Sequence, residues 1–159
     1  MNLQAVLRPA QRAIAVLERA QPLAQVAARL VVAQAFFLSG LTKLRDWNIT
    51  LALFQDEYHV PLLSPAVAAV AGTTGELVLP VLLALGLAGR FAAAGLSIVN
   101  VVAVLSLAEI APAALQQHVF WGSLLVGLLL WGPGRWSLDH FVLAWQQGAS
   151  RNADYTRAV

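Results

Sequence analysis

The chain has 159 residues, of which 59% are hydrophobic and 11% charged, and its mean hydropathy is +0.70. A soluble domain is about 45–50% apolar and about 25% charged, so this composition excludes a soluble globule and suits about four membrane spans of ~20 residues. The formal net charge of +2 is not gathered in a basic run, which argues against nucleic-acid binding, and the lack of cysteine excludes disulfides and thiol chemistry.

The first predicted element is an amphipathic helix over residues 1–21. Apolar residues recur there at helical spacing, while Arg8, Arg12 and Arg19 lie among the residues of the opposite face. This pattern predicts a helix lying on the membrane surface. Because charges are scattered through the segment, it does not resemble a signal peptide, and we expect no cleavage.

Four membrane spans follow in chain order. They are predicted at about Leu23–Leu44, Pro65–Leu87, Phe91–Ile110 and Gln117–Trp131. The fourth should end at Gly132-Pro133-Gly134, because proline lacks an N–H donor and the glycines relax the backbone. The predicted fold class is therefore an all-α integral membrane four-helix bundle.

Two short interfacial helices are expected outside the spans. Trp47, Leu51, Phe54 and Tyr58 follow one another at helical spacings in the loop after the first span, and Ser137 can cap a helix after the fourth. The chain then divides into an interfacial N-terminal helix, a membrane domain, and a final interfacial helix with a tail, at residues 1–21, 22–136 and 137–159.

The basic residues predict the orientation of the chain. One side of the membrane receives only Lys43 and Arg45. The other side receives Arg8, Arg12, Arg19, Arg29, Arg90, Arg135, Arg151 and Arg157. By the positive-inside rule both termini are cytoplasmic.

Lys43 and Glu76 are the leading candidate site residues. Lys43 is fourteen residues from Arg29, and Glu76 is fourteen residues from Arg90, where those arginines mark the cytoplasmic edges of the first two spans. At about 1.5 Å per residue both lie ~21 Å from that edge, so the two charges should meet. The pair could only fix the helix register, or it could form a polar pocket for a quinone carbonyl or a proton.

Other polar residues could complete that pocket. Thr73 lies in the second span, and Ser97 and Asn100 lie in the third. Such side chains more often make hydrogen bonds between membrane helices than ligand contacts, so both interpretations stay open. Pro80 should free the carbonyl of Glu76 four residues earlier and bend the helix there.

Metal binding and nucleotide chemistry receive little support. His59 and His118 both fall at the predicted outer face without tight ligand spacing, so we interpret them as solvated loop residues and predict no metal site. The sequence contains no phosphate-binding loop, nucleophile elbow or dinucleotide motif.

Three segments together resemble the DoxX family of small bacterial membrane proteins. They are Phe37-Leu38-Ser39-Gly40-Leu41-Thr42-Lys43-Leu44, Gly75-Glu76-Leu77 with Leu85-Gly86-Leu87 and Arg90, and Gly132-Pro133-Gly134-Arg135-Trp136-Ser137-Leu138-Asp139. The resemblance spans residues 24–139 and implies four helices and a connection to redox metabolism, since the family takes its name from a subunit of a thiosulfate:quinone oxidoreductase. The positions that match are Gly40, Lys43, Glu76, Gly86, Arg135, Ser137 and Asp139. Arg135 and Asp139, four apart, are expected to pair.

The resemblance implies a location in the cytoplasmic (inner) membrane of a bacterium. It also implies an accessory subunit of a membrane oxidoreductase system that can interact with quinone, with no cofactor assigned to this chain itself. The alternatives are a non-catalytic scaffold in a redox or copper-related modified-peptide pathway, and a small proton-coupled transporter. The expected partners are the lipid bilayer and either another protein or further copies of the chain, with no nucleic acid.

Overall fold

A computed structural model describes residues 3–146, and within that range all regular secondary structure is helical. The helices are α1 (Leu3–Arg45), α2 (Trp47–Asp56), α3 (Pro65–Leu85), α4 (Gly89–Leu105) and α5 (Pro112–Trp131). A sixth helix, α6, begins at residue 138 and continues to residue 146. The predicted tail at 147–159 and the first two residues lie outside the described range.

Four helices form a closed bundle, because α1 packs on α3, α3 on α4, α4 on α5, and α5 back on α1. Val32, Phe36, Leu83, Leu96 and Leu125 are buried at its centre. Many large apolar side chains face outward instead, which suits lipid rather than water. α1, α3 and α5 are long and apolar enough to cross a membrane, and α4 is a shorter apolar helix of 17 residues. The predicted all-α membrane bundle is confirmed.

Proline and glycine set the helix ends. α5 begins at Pro112, five residues before the predicted start, because proline is favoured in the first helical turn. α3 ends at Gly86, whose φ of +66° places it in the left-handed conformation typical of a helix C-terminus. α5 ends before Gly132, as predicted.

Both predicted short helices are present. α2 begins after Asp46, whose carboxylate accepts hydrogen bonds from the N–H groups of Asn48 and Ile49. α6 begins after Ser137, whose hydroxyl accepts a hydrogen bond from the N–H of His140. The sequence therefore predicted the Ser137 cap, whereas the Asp46 cap was not predicted.

α1 differs from the prediction in being one continuous helix. Its 43 residues join the N-terminal amphipathic segment to the first span, with Pro22 buried inside the helix. At about 1.5 Å per residue this helix is ~64 Å long, roughly twice the thickness of a bilayer's hydrocarbon core. The location of residues 3–21 on the membrane surface stays a prediction.

Candidate functional site

The structure brings Lys43 and Glu76 together, as their predicted depth indicates. The Lys43 ammonium nitrogen lies 2.6 Å from Glu76 Oε2, and this is the single salt bridge within residues 3–146. α1 and α3 approach closely here, because a Cβ on Gly40 would lie 2.9 Å from Leu77 Cγ. Glycine at position 40 therefore permits the ion pair to form between the two helices.

Lys43 retains hydrogen-bonding capacity beyond this pair. Its ammonium group also donates to Ser39 Oγ at 3.0 Å, and an ammonium has three N–H donors. The side chains of Lys43 and Glu76 are only 19% and 9% exposed. One N–H of Lys43 is thus left for a ligand in a largely desolvated position.

A cavity of about 410 Å³ adjoins the ion pair, within the size range of small-molecule sites. Its walls are mainly apolar, with the aromatic rings of Phe36, Phe54 and Trp121 among them. The polar side chains on its surface are Ser39, Lys43, Tyr58, Glu76, Ser106 and His118. The cavity therefore combines a few polar groups with a hydrophobic enclosure.

The rim of the cavity is apolar. Leu63, in the loop between α2 and α3, and Ile98 of α4 line the cavity, and they are 46% and 66% exposed. Ala71 of α3 is also exposed and lines it. Across this rim the N–H of His59 donates to the carbonyl of Ser106 at 2.8 Å. An apolar molecule could thus pass between the cavity and the lipid.

His118 is the site residue that the sequence interpretation missed. It is half-buried within α5 and lines the cavity, so its assignment as a solvated loop residue was wrong. Its Nδ1 lies 2.8 Å from Asn100 Oδ1, and Asn100 Nδ2 donates to the His118 carbonyl at 3.0 Å. The His118 ring also packs edge-on against Trp121, with centroids 5.2 Å apart.

Tyr58 contributes a phenol close to the carboxylate of the ion pair. Its ring packs edge-on against Phe54 with centroids 5.0 Å apart. Burial raises the pKa of Tyr58 above its usual 10.0, and the negative charges of Glu57 and Glu76 raise it further. The phenol therefore stays protonated at neutral pH and can donate a hydrogen bond.

The remaining predicted pocket residues do not line the cavity. Ser97 donates its hydroxyl to the carbonyl of Ala93 within α4. Thr73 is buried, and its hydroxyl has no hydrogen-bond partner among the described residues. Asn100 hydrogen-bonds to His118, which lines the cavity. Of the five predicted residues, Lys43 and Glu76 thus reach the cavity directly.

The DoxX-like motif residues Ser137 and Asp139 lie at the end of the bundle opposite the cavity, here called the Asp139 end. The Asp139 carboxylate accepts hydrogen bonds from the N–H groups of Ala88 at 2.7 Å and Gly89 at 2.8 Å. It therefore caps the N-terminus of α4, where a negative charge is favourable. The Asp139 N–H donates to the carbonyl of Gly86.

Arg135 does not pair with Asp139, so that prediction was wrong. Arg135 is exposed, while both Asp139 carboxylate oxygens accept backbone N–H groups of α4. The arginine that is buried at this end is Arg29, which is only 2% exposed and donates a hydrogen bond to the carbonyl of Trp136. The hydroxyl of Ser137 donates to the carbonyl of Gly134. These contacts tie α1 and the start of α6 together.

Within the described residues, no group of three or more histidine, aspartate or glutamate side chains is placed to hold a metal ion. His59 is exposed, and its Nδ1 lies 3.1 Å from the carbonyl of Glu57.

Comparison with known proteins identifies one family. The family model described as DoxX matches residues 24–109, which is more than half of the chain and extends from the middle of α1 through α4. The match includes Lys43, Glu76 and Asn100. Neither curated proteins nor solved structures give a significant match.

Proposed function

The chain belongs to the DoxX family, and from this premise we propose that it is an accessory membrane subunit of an oxidoreductase system that binds quinone in the cavity beside Lys43 and Glu76. The observation that carries the proposal is a buried ion pair in the wall of an apolar cavity whose rim is also apolar.

The chemistry of a quinone suits these groups. A quinone has a flat ring with a carbonyl oxygen at each end and an apolar tail. The free N–H of Lys43 can donate to one carbonyl, aromatic side chains such as Phe36 and Trp121 can contact the ring, and the apolar rim can admit the tail from lipid.

An accessory role is proposed because the sequence has neither cysteine nor a dinucleotide-binding motif. Electrons from a bound quinone would therefore pass to or from a partner subunit. By the positive-inside rule, the Asp139 end faces the cytoplasm and the cavity lies toward the outer face of the bacterial inner membrane.

The test uses calorimetry to measure the affinity of a short-chain benzoquinone for the purified protein in lipid nanodiscs. Lys43→Ala should weaken binding at least about tenfold, since a hydrogen bond from a charged donor contributes about 1.5–3 kcal/mol. Glu76→Gln should also weaken it, because Glu76 orients the ammonium group. Thr42→Ala is the matched control, since Thr42 is exposed on the same helix and its hydroxyl bonds only to Leu38.

Unchanged affinity in folded Lys43→Ala and Glu76→Gln proteins would contradict the proposed site. Affinity purification from native membranes gives a second readout, because an accessory subunit should retain a redox partner in mild detergent. Recovery of the chain alone would count against the accessory role.

A second candidate, a non-catalytic scaffold, is favoured by the N-terminal half of α1. Ile14, Val16 and Leu17 are exposed there, more than half of each side chain being accessible. Deletion of residues 1–20 should then release a protein partner while quinone affinity stays unchanged.

A further inference from the structure

The contacts between Asn100 and His118 fix which nitrogen of the imidazole has the proton. The backbone carbonyl of His118 can only accept a hydrogen bond, so the Asn100 atom that bonds to it must be the amide nitrogen. The other amide atom, Oδ1, is then an acceptor facing His118 Nδ1 at 2.8 Å. In the neutral ring, Nδ1 must therefore have the hydrogen.

The second ring nitrogen, Nε2, is consequently a lone-pair acceptor. No protein group among residues 3–146 hydrogen-bonds to it, and it is not among the fully buried polar atoms that lack a partner. Because the His118 side chain lines the cavity, this acceptor is accessible to a ligand there. Asn100 thus acts as a positioning residue for His118.

The Lys43 ammonium group, unlike an acceptor, does not discriminate between the redox states of a quinone. The remaining N–H of Lys43 can donate to the carbonyl oxygen of a quinone or to the hydroxyl oxygen of a quinol. Nε2 of His118 can accept a hydrogen bond only from a ligand that has a donor. A quinol hydroxyl supplies that donor, and a quinone carbonyl does not.

Resting on the proposed quinone-binding function, we infer that His118, held by Asn100, makes this cavity a site that favours the reduced quinol over the quinone. The depth of the two groups agrees with one ligand reaching both. Lys43 is fourteen residues along α1 from Arg29, and His118 is thirteen residues along α5 from its end at Trp131. Both distances correspond to ~20 Å of helix.

The experiment measures the dissociation constants of a short-chain benzoquinone and of its chemically reduced quinol, anaerobically, for the full chain in nanodiscs. The readout is the ratio of the quinone constant to the quinol constant within each variant. A general loss of folding or of cavity shape weakens both forms and leaves the ratio unchanged. Loss of the acceptor changes the ratio itself.

His118→Phe keeps a ring beside Trp121 but removes the acceptor, and it should lower the ratio roughly fivefold, the effect of one neutral hydrogen bond of about 1 kcal/mol. Asn100→Leu should lower it in the same direction, because the ring can then place its proton on either nitrogen. Ser123→Ala is the matched control on α5, since Ser123 is exposed and its hydroxyl bonds only to Val119.

A wild-type ratio near one, or a ratio that His118→Phe leaves unchanged, would overturn this inference while leaving quinone binding in place. Failure of the wild-type protein to bind either form would overturn the proposed function and this inference with it. A ratio above one that falls in both variants and holds in the control supports the inference.

Discussion

Replacement of Gly86 by alanine should destabilise the bundle by about 2–5 kcal/mol. The φ of +66° at Gly86 costs an L-residue about 1–2 kcal/mol. The added Cβ would also overlap the Arg29 guanidinium and lie 3.0 Å from Ser137 Cα, and such overpacking costs about 1–3 kcal/mol. Both terms arise where α3, α1 and the segment before α6 meet.

Gly132 provides a comparison in which an added Cβ has room. A Cβ there would meet its nearest neighbour, Arg90 Nε, at 3.6 Å. Its φ of +84° and ψ of 179° lie in a region that is essentially restricted to glycine, so Gly132→Ala should cost about 1–3 kcal/mol from the backbone conformation without an overpacking contribution. Reversible unfolding in mixed detergent micelles, monitored by circular dichroism, measures both losses. A loss below about 2 kcal/mol in Gly86→Ala would refute the close contact inferred at Gly86, because the left-handed conformation alone accounts for that much.

Three further predictions use the same preparation. Asp139→Ala should cost about 1–3 kcal/mol because two backbone N–H groups of α4 lose a charged acceptor, whereas exposed Asp56→Ala should change stability by less than about 0.5 kcal/mol. Lys43→Met alone should cost about 3 kcal/mol, and adding Glu76→Gln should cost less than the sum of the single changes; additive losses would show that the pair is not coupled. Burial raises the pKa of Tyr58 in the folded state above its unfolded value of 10.0. The protonated phenol therefore contributes its full stabilisation below pH 10.0, and this stabilisation is lost as the pH rises through the pKa of the folded state. Alkaline unfolding should therefore move to higher pH in Tyr58→Phe, and an unchanged midpoint would contradict the assignment.

The sequence predicted the features that depend on fixed helical geometry or on the local backbone and capping preferences of single residues. The rise per residue placed Lys43 and Glu76 at one depth, and the structure joins them at 2.6 Å. Gly132 and Pro133 marked the end of α5 because their backbone preferences do not depend on distant residues. The same is true of Ser137 as the cap of α6.

The features that the sequence did not predict depend on how helices face one another. His118 was assigned to the outer surface because hydropathy does not give the rotation of a helix about its axis. Asn100 offered a usable signal, since a deep amide needs a partner and His118 lies at a matching distance along α5. Asp139 was paired with Arg135 by spacing alone, whereas the free N–H groups of α4, fifty residues away in sequence, outcompete that neighbour.

Polar side-chain contacts join the helices of the bundle in two pairs. Lys43 and Glu76 join α1 to α3, while Asn100 and His118 join α4 to α5. The two pairs pack on each other through the shared apolar core, and at the rim of the cavity the bond from the His59 N–H to the Ser106 carbonyl ties the loop between α2 and α3 to the end of α4. Breaking that bond would free the loop while the helices stay packed, so the residence time of a bound molecule should depend on this loop more than on the affinity of the cavity walls.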